Sequence, residues 1–258
     1  MTRNLVRISL LSSAFLFTAF NPAQSFAYAT PKNSGWFIGA GGSWNWSSLG
    51  NSASVANGSL APPPSNSDLY TINTPSSHAG FQIYAGYRFV RAARLFPYYS
   101  FAFRYTHIAE GQTRGVIQQY SSPTFQNYNY SVNFNTDIYG IEAKLDLYQF
   151  GALSPYLSAG AGIVNNSVYN YQETAVSGVT PRISPDFGSS DQNNFAFNLG
   201  VGIDYQITQN LSASLGYEYA NLDKLTGTGK GADWVGQPIS FGTLKNNTVL
   251  LNVFYQIA

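Results

Sequence analysis

The chain has 258 residues, of which only 10% are Asp, Glu, Lys or Arg, whereas 16% are aromatic, including 19 Tyr and 18 Phe. An ordinary soluble domain carries about 25% charged residues, so this composition is unusual for one. The formal net charge is +1, so the chain lacks the excess of positive charge typical of proteins that bind nucleic acid. The sequence contains no Cys, which excludes disulfides, a lipoprotein anchor and thiolate metal sites.

Residues 1–29 form a predicted secretory signal peptide. Arg3 and Arg7 supply its positive charge, an apolar stretch follows at 8–20, and small residues suited to cleavage come after it. The apolar stretch is too short for a spanning helix of about 20 residues, so we expect a cleaved leader and not an anchor. The mature protein is then 30–258.

After the leader, apolar and polar residues alternate with a period of two in eight segments. The apolar parity contains no charged residue, and the other parity is mainly Gly, Ser, Ala and Asn. The segments are 36–46, 81–89, 99–106, 139–147, 157–163, 195–206, 211–219 and 248–257. Strands can span a bilayer only as a closed barrel, each with about 9 to 11 residues. The sequence therefore predicts an all-β fold, an eight-stranded antiparallel up-and-down transmembrane β-barrel.

A secreted soluble β-sandwich is the alternative fold, because its strands would alternate as well. Its outward face would be rich in Lys, Glu and Thr, whereas small residues such as Gly and Ser suit a crowded barrel interior. In the fourth segment, Val132 and Phe134 lie upstream on the opposite parity. We expect either a β-bulge near 135–138 or a strand that starts later.

The connections between segments alternate between long and short. The long ones are about 47–79, 108–130, 165–194 and 220–247. Outer-membrane barrels place short turns in the periplasm and long loops outside, so we predict four extracellular loops. We expect the carboxylates of these loops to be solvated; they are Asp68, Glu110, Glu173, Asp186, Asp191, Asp223 and Asp233.

Aromatic residues concentrate at the ends of the segments, as in the interfacial girdles of membrane barrels. The predicted girdle residues are Trp44, Trp46, Tyr87, Tyr99, Tyr139, Tyr205, Tyr219 and Tyr255.

The charges within the segments all fall on the inward parity. They are Arg88, Arg104, Glu142, Lys144, Asp146, Asp204 and Glu218. Counting residues from the periplasmic ends places Arg104 level with Glu142 and Glu218, and groups the other four nearer the periplasm. Charges removed from water need partners, so we predict a salt-bridged plug in the lumen. The alternative is an ion gate that opens when Arg104 changes partners.

Three stretches, 80–89, 155–162 and 253–257, resemble the small outer-membrane barrels of the OmpA transmembrane-domain and opacity-protein type. The resemblance implies residence among lipid and lipopolysaccharide of the bacterial outer membrane. It also implies assembly by the barrel-assembly machinery and periplasmic chaperones. The corresponding assembly signal is Val253, Tyr255 and Ile257. The family commonly ends in Phe, whereas this chain has Ile at that position and one further Ala, which weakens the signal.

The sequence offers little for catalysis. Its two histidines, His78 and His107, lie at the extracellular edges of segments. His107 has no Ser at two residues' distance, unlike the His-x-Ser pattern expected in lipid A deacylase barrels. His and carboxylates are not clustered at metal-ligand spacing. The Gly-rich runs at 39–42 and 160–162 are not followed by a predicted helix, so they do not indicate a nucleotide site. We predict no cofactor, no metal and no enzyme activity.

The predicted function is that of a structural and surface-interaction protein, similar to a surface antigen or adhesin, whose loops bind a host or environmental ligand. The alternative is a narrow porin-like channel for ions or small solutes, and an outer-membrane enzyme is the third hypothesis. Small interior residues such as Gly202 and Gly216 either leave a passage or make room for Tyr84, Phe254 and the arginines. We favour the second interpretation.

Overall fold

A computed structural model describes residues 33–73, 77–182, 187–229 and 237–257. The predicted leader 1–29 lies outside these ranges. Within them, none of the helical segments has the length and apolarity needed to cross a membrane. The strands are β1 (Gly35–Ser48), β2 (Ser52–Ala56), β3 (Ser67–Thr71), β4 (Ser77–Val90), β5 (Tyr98–Gln118), β6 (Gln126–Asp146), β7 (Leu153–Ala175), β8 (Phe187–Gly188), β9 (Ser190–Gln206), β10 (Leu211–Gly229) and β11 (Ile239–Gln256).

Eight of these strands close into a barrel. They pair in the order β1, β4, β5, β6, β7, β9, β10 and β11, and each strand is antiparallel to the next. The ring closes because β11 also pairs with β1, from the residue pair Phe37–Gln256 to the pair Ser48–Lys245. A closed ring has no edge strand, so its backbone groups bond within the sheet, as a lipid environment requires. The predicted eight-stranded antiparallel barrel is confirmed.

The barrel has two unlike ends, named here for their connections. The turn end carries the short connections 91–97, 147–152 and 207–210, and the loop end carries the long ones. In the half of the barrel nearer the turn end, apolar side chains point outward and polar ones inward. On β9, for example, Leu199 is 57% exposed whereas Asp204 is buried. This polarity is the reverse of that of a soluble barrel and matches a wall in contact with lipid.

The polarity reverses in the half nearer the loop end. There the strands continue beyond the aromatic rows, and their inward side chains are mainly apolar. We call this cluster the apolar cap; it includes Tyr70, Ile117, Val132, Phe134, Val164, Leu222, Leu225, Ile239, Phe241 and Leu244. The β2–β3 hairpin closes over it, because β3 pairs with β5 through Leu69–Gln118 and Tyr70–Ile117. The hydrophobic effect therefore stabilises the loop end as it does a water-soluble protein.

β-Bulges accompany this change of polarity. The register of β5 shifts between Ile108 and Gly111. Residues with positive φ lie at the corresponding irregularities of β7, β10 and β11, namely Asn170, Asp223 and Gly242. A bulge adds one residue to a strand, so the inward side chains move to the opposite parity.

The strands are consequently longer than predicted. β5 and β6 occupy most of 108–130, a segment predicted to be a loop. The bulge expected on β6 near 135–138 lies instead on β5, opposite Asn135. β6 keeps one inward parity throughout, and Val132 and Phe134 point into the apolar cap. Val132 and Phe134 thus keep the inward parity of β6, and they differ from its other inward residues only because the interior changes from polar to apolar.

A pair of substitutions on β9 tests where the lipid-facing wall ends. Leu199→Arg should lower the free energy of unfolding by about 2–4 kcal/mol because the charge enters the bilayer core, whereas Asn193→Arg, also on the outward parity but nearer the loop end, should cost about 0–1 kcal/mol. Urea unfolding in lipid vesicles measures both. Equal costs would show that the wall does not change environment between these two positions.

Candidate functional site

The centre of the barrel interior holds an arginine between two carboxylates. The Arg104 Nη1 atom lies 2.6 Å from Glu142 Oε2 and 2.5 Å from Glu218 Oε2, and Nη2 donates to Glu218 Oε1 at 3.2 Å. Asn198 Nδ2 also donates to Glu218 Oε2, at 2.8 Å. Arg104 comes from β5, and its two carboxylate partners come from β6 and β10, while Asn198 of β9 bonds to Glu218. One buried guanidinium therefore links strands on opposite sides of the lumen.

A second ion pair lies nearer the turn end. Lys144 Nζ lies 2.8 and 2.6 Å from the two carboxylate oxygens of Asp204. The same ammonium group lies 4.5 Å from the ring centre of Tyr156 and 4.7 Å from that of Phe254, within the range of cation–π contacts. Rings as well as charges thus occupy the lumen at this level.

The remaining two predicted lumen charges form no direct ion pair among the described residues. Arg88 Nη2 donates to Ser212 Oγ at 3.5 Å, and its guanidinium lies 5.8 Å from the Phe37 ring and 5.9 Å from the Tyr98 ring. Asp146 is buried nearby. The structure therefore divides the seven predicted residues into a three-residue cluster, a pair and two separate groups.

The interior glycines accommodate aromatic rings. A Cβ atom at Gly202 would lie 2.6 Å from the Tyr156 ring, one at Gly216 would lie 2.1 Å from the Tyr156 hydroxyl, and one at Gly39 would lie 2.3 Å from the Phe254 ring. Toward the loop end, the cavity beside Arg104 has a volume of about 10 Å³, which is at the lower limit for one water molecule. Aromatic side chains thus occupy the space beside these glycines.

The predicted girdle residues all point outward from the wall. Trp44, Trp46, Tyr139 and Tyr219 lie toward the loop end, and Tyr87, Tyr99, Tyr205 and Tyr255 lie toward the turn end. Rings also contact one another around the wall: Phe89 stacks on Tyr99 at 4.7 Å, and Tyr105 lies 5.0 Å from Tyr139. The predicted assembly residues Val253, Tyr255 and Ile257 are exposed on the same wall, and their role in assembly stays a prediction.

A third charged cluster lies in the loop end, where solvated carboxylates are expected from the sequence. Arg182 Nη1 lies 3.2 Å from Asp68 Oδ2, and Arg182 Nε lies 3.4 Å from Glu173 Oε2. The guanidinium also lies 4.2 Å from the Tyr128 ring. Asp68 and Glu173 are both buried, so the expectation of solvated carboxylates was wrong for these two. Asp186 and Asp233 lie outside the described residues.

Burial sets the ionisation of this loop-end cluster. Burial raises the pKa of the Tyr70 hydroxyl well above its ordinary value, and the Glu173 carboxylate raises it further. Burial likewise raises the pKa of Tyr171. Burial alone would lower the pKa of Arg182, but the Glu173 and Asp68 carboxylates reverse this effect and raise it. Arg182 therefore stays charged, and the tyrosines stay neutral.

The two histidines do not assemble a recognisable catalytic group. His107 faces outward near the loop-end aromatic row, with Nδ1 2.8 Å from Asp137 Oδ1, and Tyr105 donates to the same oxygen at 2.6 Å. His78 is buried, and its ring lies 5.8 Å from Phe134. Within the described ranges, no three His, Cys, Asp or Glu side chains are grouped so as to hold a metal ion.

Sequence reasoning missed Asn198 and Arg182. Asn198 falls on the inward parity opposite Gly160, so its place on β9 could have been found from the pattern of strands. Arg182 follows β7 in a connecting segment without periodicity, and no signal in the sequence places it beside Asp68 on a different hairpin.

A closed eight-stranded barrel with an apolar outer wall and charges in its interior defines a class of protein, the outer-membrane β-barrels. The chain matches the profile described as "Outer membrane protein beta-barrel domain" over residues 13–256, and it belongs to that family. It is therefore a protein of the bacterial outer membrane, as the resemblance implied.

Two curated relatives show partial similarity. The outer membrane protein PagN of Salmonella typhimurium is 27% identical over 110 residues, which is 43% of this chain and 43% of that protein. An uncharacterized protein of Brucella abortus is 30% identical over 104 residues, which is 40% of this chain and 36% of that protein. The chain thus spans less than half the length of these relatives.

Two solved structures are similar to this chain at low sequence identity. Neisserial surface protein A is 17% identical with a TM-score of 0.46, covering 88% of this chain and all of that one. Ail, the attachment invasion locus protein of Yersinia pestis, is 12% identical with a TM-score of 0.35, covering 87% of this chain and 99% of that one.

Removing Arg104 should be strongly destabilising. Arg104→Met leaves Glu142 and Glu218 facing each other without a counter-charge, and losing one partner of a buried ion pair costs about 3–5 kcal/mol. The triple variant Arg104→Met, Glu142→Gln, Glu218→Gln should recover part of this loss, because no unpaired charge remains. Urea unfolding in vesicles compares the two; a triple variant less stable than the single one would contradict the assignment.

Removing Arg182 should open the loop end without unfolding the membrane-facing wall. Arg182→Gln leaves Asp68 and Glu173 buried without their cation, at a cost of about 3–5 kcal/mol in local stability. Amide hydrogen exchange should therefore quicken in β3 and in the loop end of β7, while exchange in β9 stays as in the parent protein. Arg114→Gln, an exposed arginine of the same end, is the matched control and should change neither. Unaltered exchange in β3 would refute the role of Arg182.

Proposed function

We propose that this chain is a non-catalytic surface-interaction protein, with its loop end outside the cell and its lumen closed. The orientation follows the rule that outer-membrane barrels keep short turns in the periplasm. The observation that carries the proposal is the interior itself. The ion pairs of Arg104 and Lys144 fill the membrane-facing half, and the apolar cap fills the loop end. A barrel packed along its length acts through its surface.

The outermost part of the loop end suits contact with another molecule. The tip of the β2–β3 hairpin and the turn between β5 and β6 lie side by side, with the Ser67 and Ser121 hydroxyl oxygens 3.0 Å apart. Neither 57–66 nor 118–127 contains a charged residue. Three large side chains are nevertheless exposed there: Leu60, Tyr120 and Phe125. Exposed aromatic and aliphatic groups on an uncharged surface are typical of binding sites for other molecules.

The supporting elements hold these tips in place. Asp68 Oδ1 accepts hydrogen bonds from Asn57 Nδ2 at 3.1 Å and from the Tyr120 backbone N–H at 3.0 Å, and Asp68 is itself bound by Arg182. An ordered tip loses less conformational entropy when it binds a partner. We propose that the ligand is a host or environmental molecule that contacts the tips.

Adhesion measurements test this function. A non-adherent bacterial strain that displays the protein should bind cultured epithelial cells or extracellular matrix above the empty-vector level. The triple variant Leu60→Ser, Tyr120→Ser, Phe125→Ser should lower binding at least about tenfold, because buried aromatic contacts dominate interface energies. Phe150→Ser, which removes an exposed aromatic ring at the opposite end, is the matched control. Equal binding by the triple variant and the parent protein would reject the tips as the contact surface.

Planar-bilayer recording distinguishes this function from the channel alternative. We expect a near-silent trace for the parent protein and for Arg104→Ala, because Tyr156, Phe254 and the apolar cap still close the lumen. A stable conductance that rises in Arg104→Ala would favour the ion gate instead.

Lipid A modification or proteolysis that disappears in a deletion strain would favour an enzyme. Asp137 contacts His107 Nδ1 as the carboxylate of a catalytic triad would, but within the described ranges no Ser or Thr hydroxyl hydrogen-bonds to the His107 ring.

A further inference from the structure

The outer wall of the barrel contains a cavity near the turn end. Its volume is about 870 Å³, within the range of roughly 300–1,000 Å³ found for small-molecule sites. Ala143 on β6 and Ala159 on β7 are register partners with short side chains, and they form its floor. Larger apolar side chains surround this floor: Phe101, Leu145, Leu157 and Leu199. All of them face outward, so the cavity opens to the hydrocarbon and not to the lumen.

The cavity reaches the turn-end margin of the wall. Tyr99 also lines it, is the second residue of β5, and pairs with Leu145 near the end of β6. The connection between β4 and β5 adjoins this margin. The Phe96 N–H donates to the Leu147 carbonyl oxygen at 3.0 Å, and the Gln149 N–H donates to the Arg94 carbonyl oxygen at 2.9 Å. The backbone at Arg94 is thus bonded to the connection that follows β6, the strand that carries Ala143.

This connection carries positive charge that the rest of the turn end does not balance. Arg91 and Arg94 are both exposed, and neither takes part in an ion pair within the described ranges. The three short connections 91–97, 147–152 and 207–210 contain no Asp or Glu. Exposed apolar side chains accompany the two arginines: Leu95, Phe96 and Phe150. Such side chains lie at the bilayer surface, where arginine extends its charged head toward lipid phosphates.

We propose that the cavity and the two arginines together bind one anionic phospholipid from the leaflet at the turn end. An acyl chain lies over Ala143 and Ala159, and the phosphate accepts hydrogen bonds from Arg91 and Arg94. The planar guanidinium group matches phosphate geometry and binds it with two parallel hydrogen bonds. The uncompensated positive charge selects an anionic headgroup over a zwitterionic one. This site is independent of the proposed surface function, because it lies at the other end of the barrel.

Native mass spectrometry of the detergent-solubilised protein tests the site with three probes: dioleoylphosphatidylglycerol, dioleoylphosphatidylcholine and glycerol 3-phosphate. The parent protein should bind phosphatidylglycerol at least about tenfold more tightly than phosphatidylcholine, because two arginines face the phosphate. Arg91→Gln with Arg94→Gln should remove this preference. Ala143→Phe should fill the cavity and weaken binding of both lipids several-fold, and Ala159→Leu serves the same purpose if Ala143→Phe does not fold. Glycerol 3-phosphate should not displace the lipid.

Matched controls separate the site from general effects of charge and bulk. Arg114→Gln removes an arginine at the loop end, and Ala85→Phe enlarges an outward alanine of β4 away from the cavity; both should bind phosphatidylglycerol as the parent protein does. Heat-modifiable migration on gels confirms that each variant is folded. Any one of four results would overturn the proposal. These are equal affinity of the parent protein for the two lipids, a retained preference for phosphatidylglycerol in the double arginine variant, unchanged lipid binding by both cavity variants, and displacement of the lipid by glycerol 3-phosphate.

Discussion

The requirement that every backbone N–H and C=O group find a partner inside the bilayer is the constraint on which this structure depends. It forces the strands into a ring, with β11 returning to β1, and the ring then fixes which side chains meet lipid and which meet the lumen. An interior this narrow is filled by side chains. The charges of β5, β6, β9 and β10 consequently face one another, and Arg104 becomes the common partner of Glu142 and Glu218.

The same ring continues past the membrane, where its environment changes. Water replaces lipid outside the wall, so the stable arrangement of polar and apolar side chains reverses. Ile108, Val132 and Val164 point inward here, on strands whose inward residues nearer the turn end are Arg104, Glu142 and Ser158. One barrel thus combines a membrane-facing half with a polar interior and a loop end with an apolar core. The loop-end core holds the β2–β3 hairpin and gives the proposed contact surface its rigid support.

Alternation alone was enough to predict the membrane-facing half. The segments at 36–46, 81–89 and 195–205 show it clearly, and counting along them placed Arg104 level with Glu142 and Glu218. The structure of the loop end could not be predicted from alternation, for two physical reasons. Bulges at positions such as Asp223 interrupt the period of two, and the inward residues there are apolar, so Val132 and Phe134 appeared to be out of phase. The Arg182 cluster joins segments far apart in sequence, and only their folding brings Asp68 and Glu173 together.

Site-directed spin labelling can follow the reversal of polarity along one strand. The chain has no Cys, so single cysteines can be placed along β5 from 101 to 117. Labels at Phe101 and Phe103 should be accessible to oxygen dissolved in lipid, and labels at Gln112 and Arg114 to a water-soluble relaxation agent. Labels at Ile108, Thr113 and Ile117 should be shielded from both. Accessibility to the aqueous agent at every position from 109 to 117 would contradict the account, because it would mean a solvated loop in place of a packed strand.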